Sequence, residues 1–199
     1  MASEKTRKLL VDVARGIFAK AGLEGTTMND IAVASGKGRR TLYTYFKNIR
    51  EIYYAVIEEE LDRMSERMRE VAAQNIDPED KLLKLIYTHL SLVRETVNRN
   101  GNLRAEFFRD IWLVEKVRKN FDQAEREMVA RILMEGVRSG QFDVMDIRLC
   151  VDIIHYCVKG LEVPYIFGRL GEGGAAYSRP VVQRILHRAL ARIDSERLK

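Results

Sequence analysis

Apolar side chains recur along this sequence at the three- and four-residue steps of a helix, and no stretch alternates convincingly between apolar and polar as a half-buried strand would. The steps run through Leu10, Val13, Ala14, Ile17, Phe18 and Ala21, and again through Ile49, Ile52, Tyr53, Val56, Ile57, Leu61, Met64, Met68 and Val71. A chain patterned in this way must bury one stripe of each helix against another, so an all-α fold is predicted. Only three prolines interrupt 199 residues.

Breakers and caps divide the pattern into elements. Gly22 ends a first helix beginning near Ser3, and Thr27 with Asp30 is capping-box-like at the start of a short second helix, Met28 to Ser35. The turn SGKG leads into RRTLYTYF, where Leu42 and Phe46 share one side of a third short helix. A long helix follows from Asn48. Asp77 and Pro78 start a fifth that ends near Asn100 and Gly101, and the shorter segment LRAEFFRDIW precedes a helix running through Val114 and Ile132 towards Gly140. Asp146 caps a helix that Pro164 must kink or end. A loop, GRLGEGGAAY, precedes a last helix started by Ser178 and Pro180 and continuing to Ile193.

Charge is distributed unevenly. Residues 1–50 hold ten Lys/Arg and four Asp/Glu, a net +6, whereas the whole chain carries +5, so residues 51–199 carry −1. A surface for a polyanion is therefore expected near the N-terminus. Cys150 and Cys157, seven apart on one helix, are too distant for a disulfide, which suits a reducing cytoplasm. No stretch reads as a signal peptide or membrane span, so a cytoplasmic location without membrane association is expected. Three histidines and two cysteines lack close ligand spacings, and neither metal nor cofactor is implied.

Two short helices joined by a glycine-containing turn, the second basic and hydroxyl-rich, have the geometry that lays one helix in a major groove. The segment TTMNDIAVASGKGRRTLYTYFKN closely resembles the helix-turn-helix of the TetR (TetR/AcrR) family, with its TLY-x-x-F core ahead of a long fourth helix; the likeness covers residues 6–60 well. That resemblance implies a helix-turn-helix DNA-binding domain over residues 1–47 and an effector-binding and dimerisation domain over 48–199, about nine helices in all. It implies phosphate contacts from Thr27, Tyr43 and Lys47, with Arg39, Arg40, Thr41 and Thr44 at base edges or nearby phosphates. Two positions depart from the pattern. Ile49 replaces a common phosphate-contacting lysine, a role Arg50 could take, and Lys37 replaces a commonly buried valine and could point at DNA.

The resemblance further implies a DNA-binding transcriptional regulator, a repressor or an activator according to operator position, that leaves operator DNA when a small, apolar or aromatic effector enters its core. Candidate effector contacts are Met68, Tyr87, Phe107, Phe108, Trp112, Phe121, Met128 and Tyr156, residues that equally suit a filled core. His89 and His155 read more readily as surface or satisfied core residues than as ligand contacts. A homodimer through the last two helices is implied as well. A helical enzyme or a scaffold is the competing class, but no HExxH, phosphate-loop GK[ST] or nucleophile–base arrangement supports an enzyme.

Overall fold

A computed structural model describes residues 2–99, 111–170 and 174–191. Among them the chain forms eight helices: α1 (Ala2–Ala21), α2 (Met28–Ala34), α3 (Arg39–Tyr45), α4 (Ile49–Ala72), α5 (Pro78–Arg99), α6 (Ile111–Arg138), α7 (Ile147–Ile166) and α8 (Gly174–Leu190). The one extended pairing among the described residues is an isolated antiparallel bridge between Phe142 and Ala191. Residues 103–110 of the expected segment LRAEFFRDIW lie outside the described residues, while Ile111 and Trp112 belong to α6.

Contacts divide the chain into two units, Met1–Arg63 with Glu95–Lys119, and Met64–Arg94 with Asn120–Lys199. In the first, Leu10, Val11, Ala14 and Phe18 of α1 are fully buried, as are Ile31 of α2, Leu42 of α3 and Ile52 of α4. Phe18 meets Tyr53 edge to face at 5.8 Å, a preferred arrangement for two ring quadrupoles. Arg15 of α1 reaches Glu59 and Glu60 of α4 at 2.5 and 3.0 Å, so a half-buried cluster of charges ties α1 to α4.

The second unit buries Met68, Leu82, Leu83, Leu85, Leu90, Met128, Ile132 and Leu133 almost completely. Asp77 accepts from the Glu79 N–H at 2.9 Å and Asp146 from the Leu149 N–H at 3.0 Å, so both aspartates cap their helices as expected. Of the three prolines, Pro180 acts differently from expectation. α7 continues past Pro164 to Ile166, ending in the next turn. α8 begins at Gly174, so Pro180 lies inside it and residues 174–177, expected as loop, are helical. The helix-favouring pair Ala175 and Ala176 outweighs the proline signal there.

Near the α6 C-terminus the packing leaves no room for a side chain at Gly136. An added Cβ would lie 2.0 Å from the Phe142 ring, and Phe142 is buried by the clasp in which the Asp143 N–H donates to the Leu190 carbonyl at 2.8 Å. Gly136→Ala is therefore expected to destabilise the protein by about 1–3 kcal/mol. Gly16→Ala, where a Cβ meets nothing within 4 Å on helix α1, should instead stabilise it by about 0.5–1 kcal/mol. Urea unfolding of the two variants beside the parent checks both signs.

Candidate functional site

The turn between α2 and α3 is built by its backbone. Gly36 takes φ +64°, the left-handed region that favours glycine. The Gly36 N–H donates to the Val33 carbonyl and the Lys37 N–H to the Ala32 carbonyl, both at 3.1 Å. This pair of bonds is the Schellman closure of α2. The residue after such a glycine often packs an apolar side chain back on the helix; Lys37 does not, and its side chain is exposed. At the other end of α2 the expected capping box is complete. The Thr27 hydroxyl oxygen accepts from the Asp30 N–H at 3.2 Å, and Asp30 accepts from the Thr27 N–H at 2.8 Å. The Thr27 hydroxyl also donates to the Asp30 carboxylate at 2.7 Å, and this bond, followed by the one from the Thr27 N–H, holds that carboxyl below its ordinary range.

α3 is held from beneath by Leu42, which is fully buried, and by Phe46 at its end, over whose ring the Arg7 guanidinium lies at 5.3 Å. Most of its remaining side chains face outward. Arg39, Arg40, Tyr43 and Thr44 are exposed and Thr41 is half-buried. The Thr44 hydroxyl donates to the Arg40 carbonyl at 3.0 Å. Thr27 is exposed at the start of α2 and Lys47 just after α3, and the Lys47 N–H donates to Glu51 at 2.7 Å, which closes the start of α4 together with Asn48. The first unit thus carries eight polar candidates, Thr27, Lys37, Arg39, Arg40, Thr41, Tyr43, Thr44 and Lys47, on or beside one short helix. Two guanidinium forks and two lysines in that setting suit phosphates and guanine edges.

Of the expected effector contacts, Met68, Tyr87, Phe121 and Met128 are buried in the second unit. Tyr156 stands apart, 63% exposed. Phe107 and Phe108 fall outside the described residues, as does the side chain of Trp112. Beside the apolar group lies a polar cluster that hydrophobic reading passes over. His89 of α5 is fully buried, with Nδ1 2.5 Å from Glu125 of α6 and Nε2 2.8 Å from Glu162 of α7. Glu125 also meets Nδ1 of His155 at 2.7 Å, and beyond them Asp122 pairs with Lys159 at 3.1 Å. A signal for this cluster was present, since each member occupies a position in register with an apolar stripe: Ile86–His89–Val93, Phe121–Glu125–Met128, Val151–His155–Val158–Glu162. Both histidines are buried core residues.

Carboxylates only accept, so two of them facing one ring require an imidazolium with both nitrogens protonated. Burial alone would push His89 down, but the charge of Glu125 and the bonds to Glu125 and Glu162 reverse this and raise it to about 9. Burial would likewise push Glu125 up, and the charge of His89 with the bonds from both histidines takes it down to about 2.

The fold and the exposed recognition helix define a DNA-binding regulator of the helix-turn-helix class. The family profile described as bacterial regulatory proteins, tetR family, matches residues 10–56. The fatty acid metabolism regulator protein of Bacillus subtilis is 26% identical over 147 residues, 73% of this chain and 75% of that one. The transcriptional repressor KstR2 of Rhodococcus jostii is 28% identical over 141 residues, 68% and 67% of the two chains. Among solved structures, a transcriptional regulator from Cytophaga hutchinsonii shares the fold with a TM-score of 0.72 at 23% identity, over 93% of this chain and 98% of that one. Bacillus subtilis FadR in complex with stearoyl-CoA does so at 0.62 and 21%, over 91% and 95%. Residues 10–56 thus carry a DNA-binding domain of the tetR family, and the relatives that this chain resembles over about 70% of its length are transcriptional regulators. No helix among the described residues is long and apolar enough to cross a membrane.

The buried cluster makes stability depend on pH in a stated direction. Because His89 is raised in the fold, its contribution is whole below its ordinary 6.5 and is lost as pH climbs through about 9. Because Glu125 is lowered, its contribution is whole above 4.5 and is lost as pH falls through about 2. Denaturation midpoints should therefore be flat between pH 4.5 and 6.5 and fall on both sides. His89→Ala, which strands two buried carboxylates, should reduce stability by about 3–5 kcal/mol and abolish the decline between pH 6.5 and 9.

Proposed function

We propose that this regulator is a repressor whose residues 1–47 hold operator DNA and whose residues 48–199 bind a small apolar effector and a second copy of the chain. The observation that carries the DNA reading is α3, which buries only Leu42 among its seven residues and presents Arg39, Arg40, Tyr43 and Thr44 outward. Arg39 and Arg40, with Thr41 and Thr44, serve as base-edge or nearby phosphate contacts. Thr27, Tyr43 and Lys47 hold phosphates, and Lys37, freed from a packing role, adds a cation beside them.

The effector reading rests on the apolar core of the second unit and on the relatives' ligands. The Bacillus subtilis FadR structure contains stearoyl-CoA, and a Bacillus subtilis protein similar to this chain is named a fatty acid metabolism regulator. An acyl chain fits the company of Met68, Tyr87, Phe121 and Met128, all buried apolar or aromatic side chains. A regulator of this kind responds because the effector prefers the arrangement that cannot place two recognition helices about 34 Å apart on successive major grooves.

A second copy is supported by two exposed stripes in the second unit. On α7 and its C-cap, Leu149, Ile153, Tyr156, Val163 and Phe167 are exposed at steps of one helix face, with Gly160 completing the row. On α8, Tyr177, Val181 and Ile185 are each more than half exposed at four-residue steps. Monomers rarely leave so much contiguous apolar surface open, and two such helices from each copy make a four-helix interface. Tyr156 belongs to this face.

Two measurements test the proposal. Purified protein should bind the DNA upstream of its own gene selectively and lose affinity steeply between about 50 and 200 mM salt. The double variant Arg40→Ala, Tyr43→Ala should weaken that binding by about 1–3 kcal/mol for the contact of Arg40, with a further, sequence-independent loss for the phosphate contact of Tyr43, and a bound effector should weaken it about 5- to 150-fold. Indifference to DNA sequence would return the chain to the enzyme or scaffold class. Gly160→Glu, where a Cβ meets nothing within 4 Å inside one subunit, should leave helical content unchanged while light scattering shows a monomer in place of a dimer.

A further inference from the structure

Some basic side chains of the second unit have carboxylate partners. Lys81 meets Glu135 at 2.8 Å, Lys159 meets Asp122 at 3.1 Å and Arg126 meets Asp152 at 3.4 Å. Arg94 and Arg179 differ, because among the described residues no carboxylate pairs with either. Each instead lies over a tyrosine. The Arg94 guanidinium carbon is 4.7 Å from the centre of the Tyr165 ring, and that of Arg179 is 5.9 Å from the centre of Tyr87.

The two tyrosines form a fixed platform. Both are buried, their rings meet edge to face at 6.4 Å, and each hydroxyl is tied down. The Tyr87 O–H donates to Ser178 Oγ at 2.9 Å, and Tyr165 and Ser91 share a hydrogen bond of 3.1 Å. Tyr87, Ser91 and Arg94 stand four and three residues apart, on one face of α5, while Ser178 and Arg179 are neighbours on α8 and Tyr165 closes α7. Three helices therefore bring two cations and two serine hydroxyls around one tyrosine pair.

A guanidinium stacked on a ring keeps its in-plane N–H donors directed outward, and a buried ring beneath it removes much of the freedom it would otherwise lose on binding an anion. The surroundings favour negative charge, since α8 carries Arg179, Arg184 and Arg188 and no Asp or Glu. We propose that Arg94 and Arg179 form a subsite for the anionic end, phosphate or carboxylate, of an otherwise apolar effector. The inference rests on the effector reading above and deepens it: the buried apolar group takes the hydrocarbon, and the arginine–tyrosine platform takes the charge.

Calorimetric titration of the full chain, without DNA, with stearoyl-CoA, stearate and the uncharged octadecanol tests this. In the double variant Arg94→Gln, Arg179→Gln, affinity for the anionic probe should fall about tenfold or more, octadecanol binding should be unchanged, and Arg94→Lys, Arg179→Lys should recover part of the loss. A loss confined to stearoyl-CoA assigns the subsite to phosphate, and one confined to stearate assigns it to carboxylate. The inference is overturned if the Gln variant binds both anions as the parent does, if the parent binds neither, or if the variant loses its dimer, since the arginines would then pair between copies. Because binding is read without DNA, tight anion binding that leaves operator affinity untouched would sink the effector-release reading while the subsite stands.

Discussion

The second unit is organised around a proton. His89 is fully buried with a carboxylate against each ring nitrogen, and those carboxylates come from two other helices, α6 and α7. None of the three groups is tolerable there alone, because an uncompensated buried charge costs several kcal/mol. Together they oblige α5, α6 and α7 to pack in one register, and the sharing of Glu125 with His155 extends that constraint along α7. Apolar side chains such as Leu90, Met128 and Ile132 supply the driving force for burial, but they would accept several sliding arrangements. The ion cluster accepts far fewer.

The first unit reaches specificity by another route. Two of its helices, α2 and α3, have seven residues each and are too short to be stable alone. They are held by end chemistry: the Thr27–Asp30 box at one end of α2, the Gly36 closure at the other, and Leu42 and Phe46 beneath α3. Fixing the ends leaves the outward side of α3 unneeded for stability. A row of arginine, tyrosine and threonine can stand there because nothing in the fold requires those positions to be apolar.

In the second unit the same economy separates structure from binding. Carboxylates satisfied inside the core are unavailable to a ligand, whereas Arg94 and Arg179 rest on tyrosines that are already satisfied by serines. Exposed apolar rows on α7 and α8 lie on helices whose other sides are buried through Val151, Ile154, Val158 and Leu190. A helix with two apolar sides has a use for each.

The helices, most of their caps and the polar face of α3 were legible from residue order, because helical periodicity, an N-capping threonine or aspartate and a left-handed glycine act over four or five residues. The exceptions were local conflicts. At α8 the propensity of Ala175 and Ala176 competes with Pro180 inside the same short window, and only the folded chain shows which prevails. What residue order could not contain is the pairing of groups 30 to 90 positions apart. His89 with Glu162, Tyr87 with Ser178 and the exposure of Tyr156 rather than its burial each depend on which side of a helix meets which neighbour. Sequence determined the helices and the polar outer face of α3; tertiary packing decided which polar side chains became a buried ion cluster and which aromatics became a platform, because charge compensation and ring contact act through space over a few ångströms, and periodicity marks a residue as core-facing without naming the group it meets.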